Sequence, residues 1–299
     1  MDIKDNSYNL QNIIMKLFST LILLSILTMQ LQAQSIGGKV FDASSGKPLE
    51  YVSLGVINTA LSSVTNEKGE FSLDVKGQLP IAIVRVSMIG YESQTFSIEE
   101  LTNIKHSIKL VNEPIKLGEV TIKPYVGKLK KVGTTGYTWH GENCGWGGIQ
   151  RGKGYEIGTK IELGSTAVLV RGLHVHLSKQ SFESSLFRLH IRNIVNDLPS
   201  EELLTENILI SITKKSGWVD IDLDKYNLVF KNDIALTLEW VNVTATSKSK
   251  LIPVGGKKEY CILFNEKQKQ GGIYKRWGSE SKWIWSNGSS PSFYLTVQE

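Results

Sequence analysis

Residues 63–75 read SVTNEKGEFSLDV. The polar run Asn66-Glu67-Lys68-Gly69 precedes Phe71, Leu73 and Val75, which alternate with polar residues. Turn formers ahead of a period-two alternation predict a tight hairpin turn and then a strand with one buried face. Gly69 would stand where a side chain obstructs the backbone. The same signature recurs from residue 36 onward. Residues 39–41, 51–56, 71–75 and 81–88 read as strands, and residues 44–48 and 66–69 supply turns. No segment here carries a helical period. The expectation is a small all-β sandwich, each strand burying one face against the opposite sheet.

The residues of this half also carry a resemblance. Gly38, Val40, Asp42, Gly46, Pro48, Leu49 and Ser53 form one motif; Thr65, Gly69, Phe71 and Leu73 a second; Ser87-Met88-Ile89-Gly90-Tyr91 a third. Over about residues 36–112 the chain resembles the carboxypeptidase D regulatory-like domain, which implies a transthyretin-like sandwich. Val52 stands where Ala is common in that family, and Asn66 where Asp is common. The resemblance implies no peptidase activity of its own, and the half offers no nucleophile–base pair, with His106 its only histidine. Residues 117–122 are similar to the short strand that follows this domain in TonB-dependent outer-membrane receptors, with Gly118 replacing the usual acid. The chain beyond lacks the long series of amphipathic strands that a receptor barrel needs.

Charge and targeting divide the chain further. Residues 34–124 hold 9 Lys and Arg against 10 Asp and Glu, whereas residues 125–299 hold 23 against 17 and all seven Trp. The expected boundaries are a signal peptide at 1–33, a first sandwich at 34–124 and a second at 125–299, joined near Pro124. Met15-Lys16 opens the targeting signal, with Met15 an alternative translation start to Met1, and residues 17–29 are an apolar run ahead of a Leu31-Gln32-Ala33 cleavage site. That run is too short to span a bilayer, so no transmembrane span is expected and the protein is expected in the periplasm, outer membrane or cell surface. No Cys lies at the cleavage point for lipid attachment. Cys144 and Cys261 are the only cysteines; they form either one long-loop disulfide or two buried thiols, and a cysteine zinc site is excluded.

In the second half, residues 157–163, 168–177, 186–194, 203–213, 218–223, 234–240, 260–264 and 293–297 read as strands, which predicts a larger jelly-roll-like β-sandwich. FRLHIRNI at 187–194 and SGWVDIDLDKYNL at 216–228 resemble sandwich domains of bacterial envelope proteins. Three constellations carry chemistry there. His174 and His176 share a strand face and, with His190, would make a three-histidine zinc site; the plainer reading is outward histidines beside an inward Leu-Val-Leu face. Asp220, Asp222 and Asp224 resemble the opening of a calcium loop, but Lys225 and Lys231 stand where an EF-hand needs Gly and Glu. IYKRWGSESKWIW at 273–285 gathers Tyr274, Lys275, Arg276, Trp277, Trp283 and Trp285, rings for stacking on sugars and cations for acidic substituents. The alternative is that these Trp fill the core.

Nucleic acid is disfavoured because no basic recognition helix is present, and no G-x-S-x-G elbow supports serine hydrolysis. The expectation is therefore a non-catalytic envelope protein without a cofactor, its partner an envelope protein or an acidic glycan. The alternative is a metal-dependent enzyme using the three histidines.

Overall fold

A computed structural model of the 299-residue chain describes residues 15–16, 35–103, 107–113, 127–138, 143–147, 153–254 and 256–299. The apolar run and its cleavage site, His106, residues 117–122 and Pro124 lie outside the described residues. Among the described residues no helix is long and apolar enough to cross a membrane. Residues 36–299 form one compact unit.

Its first part holds β1 (Ser35–Asp42), β2 (Ser53–Val56), β3 (Ser62–Val64), β4 (Glu70–Asp74), β5 (Ile83–Ser87), β6 (Gln94–Ser97), helix α1 (Ile98–Asn103) and β7 (Ser107–Leu110). These make two sheets, β4-β1-β7 and β3-β2-β5-β6. Val40, Leu54, Leu73, Val84, Val86 and Leu110 fill the space between them.

The Asn66–Gly69 turn forms as the sequence predicts. Asn66 Oδ1 accepts from the amides of Lys68 and Glu70, both at 2.9 Å. Gly69 has φ of 71°, and a Cβ there would stand 2.6 Å from the Val40 carbonyl oxygen. The expected hairpin is a sheet-to-sheet corner, however, because β3 and β4 belong to opposite sheets. The small helix α1 is a second departure. Ser97 and Glu100 form a capping box: the Glu100 amide donates to Ser97 Oγ (3.1 Å) and the Ser97 amide to Glu100 Oε2 (2.6 Å).

The second part holds β8 (Leu129–Gly133), β9 (Asn143–Gly147), β10 (Tyr155–Ile161), β11 (Val168–Gln180), β12 (Ser184–Val195), β13 (Leu198–Glu202), β14 (Leu209–Ile212), β15 (Gly217–Asp222), β16 (Val229–Phe230) and β17 (Ile234–Thr244). It closes with β18 (Ile252–Val254), β19 (Lys257–Glu259), β20 (Cys261–Trp277), β21 (Ile284–Pro291) and β22 (Phe293–Gln298). One layer runs β13-β12-β17-β10-β20 and the other β20-β11-β22-β8. The 17-residue β20 belongs to both: its register breaks between Gln268 and Gly272, where Lys269 and Gly271 take positive φ. The bend swings the strand from one layer into the other. Leu173, Val175, Leu189, Ile191, Leu236 and Leu238 meet between the layers. The fold is all-β, as expected.

The Cys261 thiol is buried and free. Antiparallel register sets Cys144 opposite Phe264, three residues further along β20 from Cys261. That offset is roughly 10 Å of strand, beyond disulfide reach.

Candidate functional site

Alternation along β12 sends Phe187, Leu189 and Ile191 into the core, which leaves Arg188, His190 and Arg192 on the outer face. The same period puts Glu239 and Thr237 of β17, Glu156 of β10, and Tyr274 and Arg276 of β20 on that face. Register then aligns Arg188 with Glu239, Glu239 with Glu156, and Glu156 with Arg276, one row of charges across four strands. Two carboxylates stand side by side at its centre, an arrangement that destabilises a sheet unless cations intervene.

Cations do intervene. Arg188 Nη1 donates to Glu239 Oε2 at 2.5 Å, and Arg192 Nη1 to Glu156 Oε2 at 2.7 Å. Arg276 Nε reaches Glu156 Oε1 at 2.7 Å while its guanidinium lies 4.7 Å from the Trp283 ring centre. His190 bridges two carboxylates, with Nδ1 2.5 Å from Glu202 and Nε2 3.0 Å from Glu239. An ionised carboxylate only accepts, so both ring nitrogens donate and His190 is an imidazolium. Burial and Arg192 oppose that charge, but Glu156 and Glu202 outweigh them and raise the His190 pKa. Burial alone would raise the Glu156 and Glu239 carboxyls; Arg192 and Arg276 beside the first, and Arg188 and His190 beside the second, pull both down.

The first sandwich covers this row with the outer face of β2 and β5. Leu54, Val56, Val84 and Val86 point into its core, so Ser53, Gly55, Arg85 and Ser87 point out. Ser53 Oγ donates to Glu239 (2.7 Å) and accepts from Arg188 Nη1 (2.8 Å). Arg188 Nη2 also donates to the Tyr51 carbonyl. Tyr51 has φ of 61°, a left-handed conformation that a bulky residue adopts only where its surroundings impose it. Its ring joins Val64 and Val241 in a small apolar cluster shared by the two parts. Beside these contacts the two faces part into a cleft of about 600 Å³, lined among others by Ser87, Arg85, Tyr91, Glu201, Ser279 and Glu280.

Residues 36–122 match the family model of the CarboxypepD_reg-like domain. The Ser87–Tyr91 motif of that domain therefore lines the cleft. No curated protein matches the chain. Among solved structures, the cysteine protease and lectin-like domains of Cwp84, a surface layer associated protein of Clostridium difficile, are 8% identical with a TM-score of 0.33. That match covers 87% of this chain and 54% of the other, so the chain spans about half its length. The infectious bursal disease virus Gt strain structure is 10% identical with a TM-score of 0.21, covering 88% of this chain and 62% of the other.

The histidines expected to converge do not. His174 and His176 lie on the outer face of β11 and His190 on the outer face of β12, on opposite sides of the core between the layers. His174 hydrogen-bonds to Asp220 (2.6 Å) and Thr296 (2.8 Å) and stacks on Tyr294; His176 pairs with Asn265 (2.7 Å) and stacks on Tyr137. Ligand atoms of Glu156, His190 and Glu239 do come within 4.8 Å of one another, but three guanidiniums occupy those carboxylates and a cation would have to displace them. Asp220, Asp222 and Asp224 are exposed, and each has its own local partner: His174, the Asp224 amide and Arg171.

Trp283 and Trp285 are brought together over Tyr274, outside the core, whereas Trp277 lies on the other side of the sheet, its ring 5.3 Å from that of Tyr155. Tyr274 is buried beneath Trp285 (4.5 Å between ring centres) and Trp283 (6.3 Å), and burial, with Asp197 nearby, pushes its phenol up to about 12. Gly272 makes the room, since a Cβ there would sit 2.1 Å from the Trp285 ring. Trp277 and Trp285 remain 40% and 39% exposed. The cations do not serve as expected. Arg276 is neutralised by Glu156, and Lys275, one residue out of phase with Tyr274 and Arg276, points to the other side of the sheet.

Sequence reasoning missed Glu156, Arg188, Arg192, Glu202, Glu239, Ser279 and Glu280. Charged residues at every second position of FRLHIRNI, with a lone Glu in each of YEIGTKI and ALTLEW, were the available signal.

Proposed function

We propose that the protein is an exported, non-catalytic binding protein of the cell envelope that holds a glycan on the ledge formed by Trp283 and Trp285 over Tyr274. The observation that carries this is the pair of indoles, Trp283 and the half-exposed Trp285, that share one side of the sheet over the buried Tyr274. Large aromatic surface left in water is costly unless a partner covers it, and flat rings suit the apolar faces of sugars. With Arg276 paired to Glu156, the ledge itself offers no basis for preferring acidic substituents.

The CarboxypepD_reg-like domain acts here as a lid, docked on the charged face of the larger sandwich and forming the second wall of the cleft. Export rests on the apolar run at residues 17–29 and the cleavage site after it. Titration of the full chain with a neutral oligosaccharide panel, followed by tryptophan fluorescence, tests the reading. Binding is expected to fall about tenfold or more in Trp285→Ala with little change in melting temperature, since stacking contributes roughly 1.5 kcal/mol per ring. No quenching by any glycan, or full binding in the variant, overturns it.

A further inference from the structure

The charge row consumes most of the ionic groups at the junction, and what it leaves over is acidic. The row sets four cations, Arg188, His190, Arg192 and Arg276, against three carboxylates, Glu156, Glu202 and Glu239; outside it the cleft is lined by Arg85, which among the described residues donates to Ser93, and by four acids, Glu92, Glu113, Glu201 and Glu280. Glu280, half-buried in the same cleft, has no hydrogen bond or ion pair at its carboxylate among the described residues. Beside it Ser279 is 3% exposed and its Oγ has no hydrogen-bond partner among the described residues. A buried hydroxyl without a partner is uncommon in a native fold and marks a place where something else completes the bond.

The segment is held in position. The Asn58 amide of the first sandwich donates to the Glu280 carbonyl (3.0 Å), and the Trp277 amide donates to Ser281 Oγ (2.9 Å). Gly55 allows the approach, because a Cβ there would lie 2.5 Å from Ser279 Oγ and 2.8 Å from Glu280 Cγ. Burial raises the Glu280 carboxyl, against the pull of Arg85 and Arg276, so the site carries a desolvated acid that gains from a cation. The remaining acids, Glu92, Glu113 and Glu201, form no metal-sized cluster with it among the described residues. Ser53, Ser87, Ser93 and Ser200 add hydroxyls to the walls.

We propose that the cleft between the two sandwiches binds a protonated primary amine on a hydroxyl-bearing ligand, the ammonium on Glu280 and a hydroxyl on Ser279. An amino sugar has this chemistry; that identity rests on the glycan reading above, whereas recognition of the amine does not.

Calorimetric titration of the full chain near neutral pH with glucosamine, glucose, N-acetylglucosamine and Nα-acetyl-lysinamide tests it. Glucosamine is expected to bind at least about tenfold more tightly than glucose or N-acetylglucosamine, the gain of one charge-assisted hydrogen bond. Glu280→Gln is expected to abolish that preference, and Ser279→Ala to weaken glucosamine by a smaller factor. Lysinamide, which has no hydroxyl, is expected to bind more weakly than glucosamine; its matching glucosamine would keep the amine on Glu280 and overturn the hydroxyl on Ser279. Equal binding of glucosamine and glucose by the wild type overturns the proposal, with no variant needed. So does a preference that survives in a folded Glu280→Gln variant. Neutral oligosaccharide binding that is lost while the amine preference persists refutes the ledge alone.

Discussion

Arg188 shows how one side chain joins two sandwiches. Its guanidinium reaches Glu239, Ser53, Asn207 and the Tyr51 carbonyl, and it is 1% exposed. Arg188→Ala would strand the Glu239 carboxylate in a dry environment. We expect a loss of about 3–5 kcal/mol, measured as a fall in the urea midpoint. His190 adds a pH dependence whose sign follows from its raised pKa. Its stabilisation is complete below the ordinary histidine value of 6.5 and is lost as pH climbs through the higher folded value. Glu202, lowered by His190 and Arg192 against the effect of burial, works the other way: its share is present above 4.5 and is lost as pH falls. Urea midpoints should therefore peak between those values and decline on the alkaline side, and His190→Gln should flatten the alkaline limb. An unchanged alkaline slope in that variant would show that His190 is neutral in the fold.

Among the elements, β20 governs the site. Its bend ties the two layers together, and its outer half presents Tyr274 and Arg276 beneath Trp285 of β21 and Trp283 just before that strand. Gly272→Val should expel the Trp285 ring without altering any ring itself; a red-shifted emission and loss of glycan quenching are expected, whereas unchanged emission would mean the ring packs elsewhere. Much of this architecture is legible locally. Period-two alternation located β11, β12 and β17 and the inward faces of all three, and the outward placement of His174 and His176 follows from the same rule. The capping box at Ser97 and Glu100 was equally readable, although six helical residues are too few to show a period. What alternation cannot say is what lies against an outward face. Arg188, His190 and Arg192 look like a solvated strand face until Ser53 and Tyr51, well over a hundred residues earlier, close over them. Likewise β3 and β4 read as a hairpin because a turn's chemistry does not record which sheet each arm joins.

At the scale of the whole molecule, the two sandwiches have separate cores but share the buried charges between them. Residues 34–124 alone are expected to unfold cooperatively and give dispersed amide signals, since the first core draws only on residues 36–110. A disordered product would mean that the shared junction is needed for folding. The second sandwich alone should lose the raised His190 pKa once its outer face is wet, and with it the alkaline decline in stability. In this account the CarboxypepD_reg-like domain serves binding by enclosing a cleft next to an aromatic ledge, the ledge holding sugar rings and the cleft an amine. A glucosamine tetramer addresses both at once, and amide hydrogen exchange of the full chain with and without it is the most direct measurement. The account predicts slowed exchange confined to Trp277–Trp285, β21 and the Ser87–Tyr91 motif. Protection confined to the β11 face around His174 and His176, or none at a saturating concentration, would contradict it.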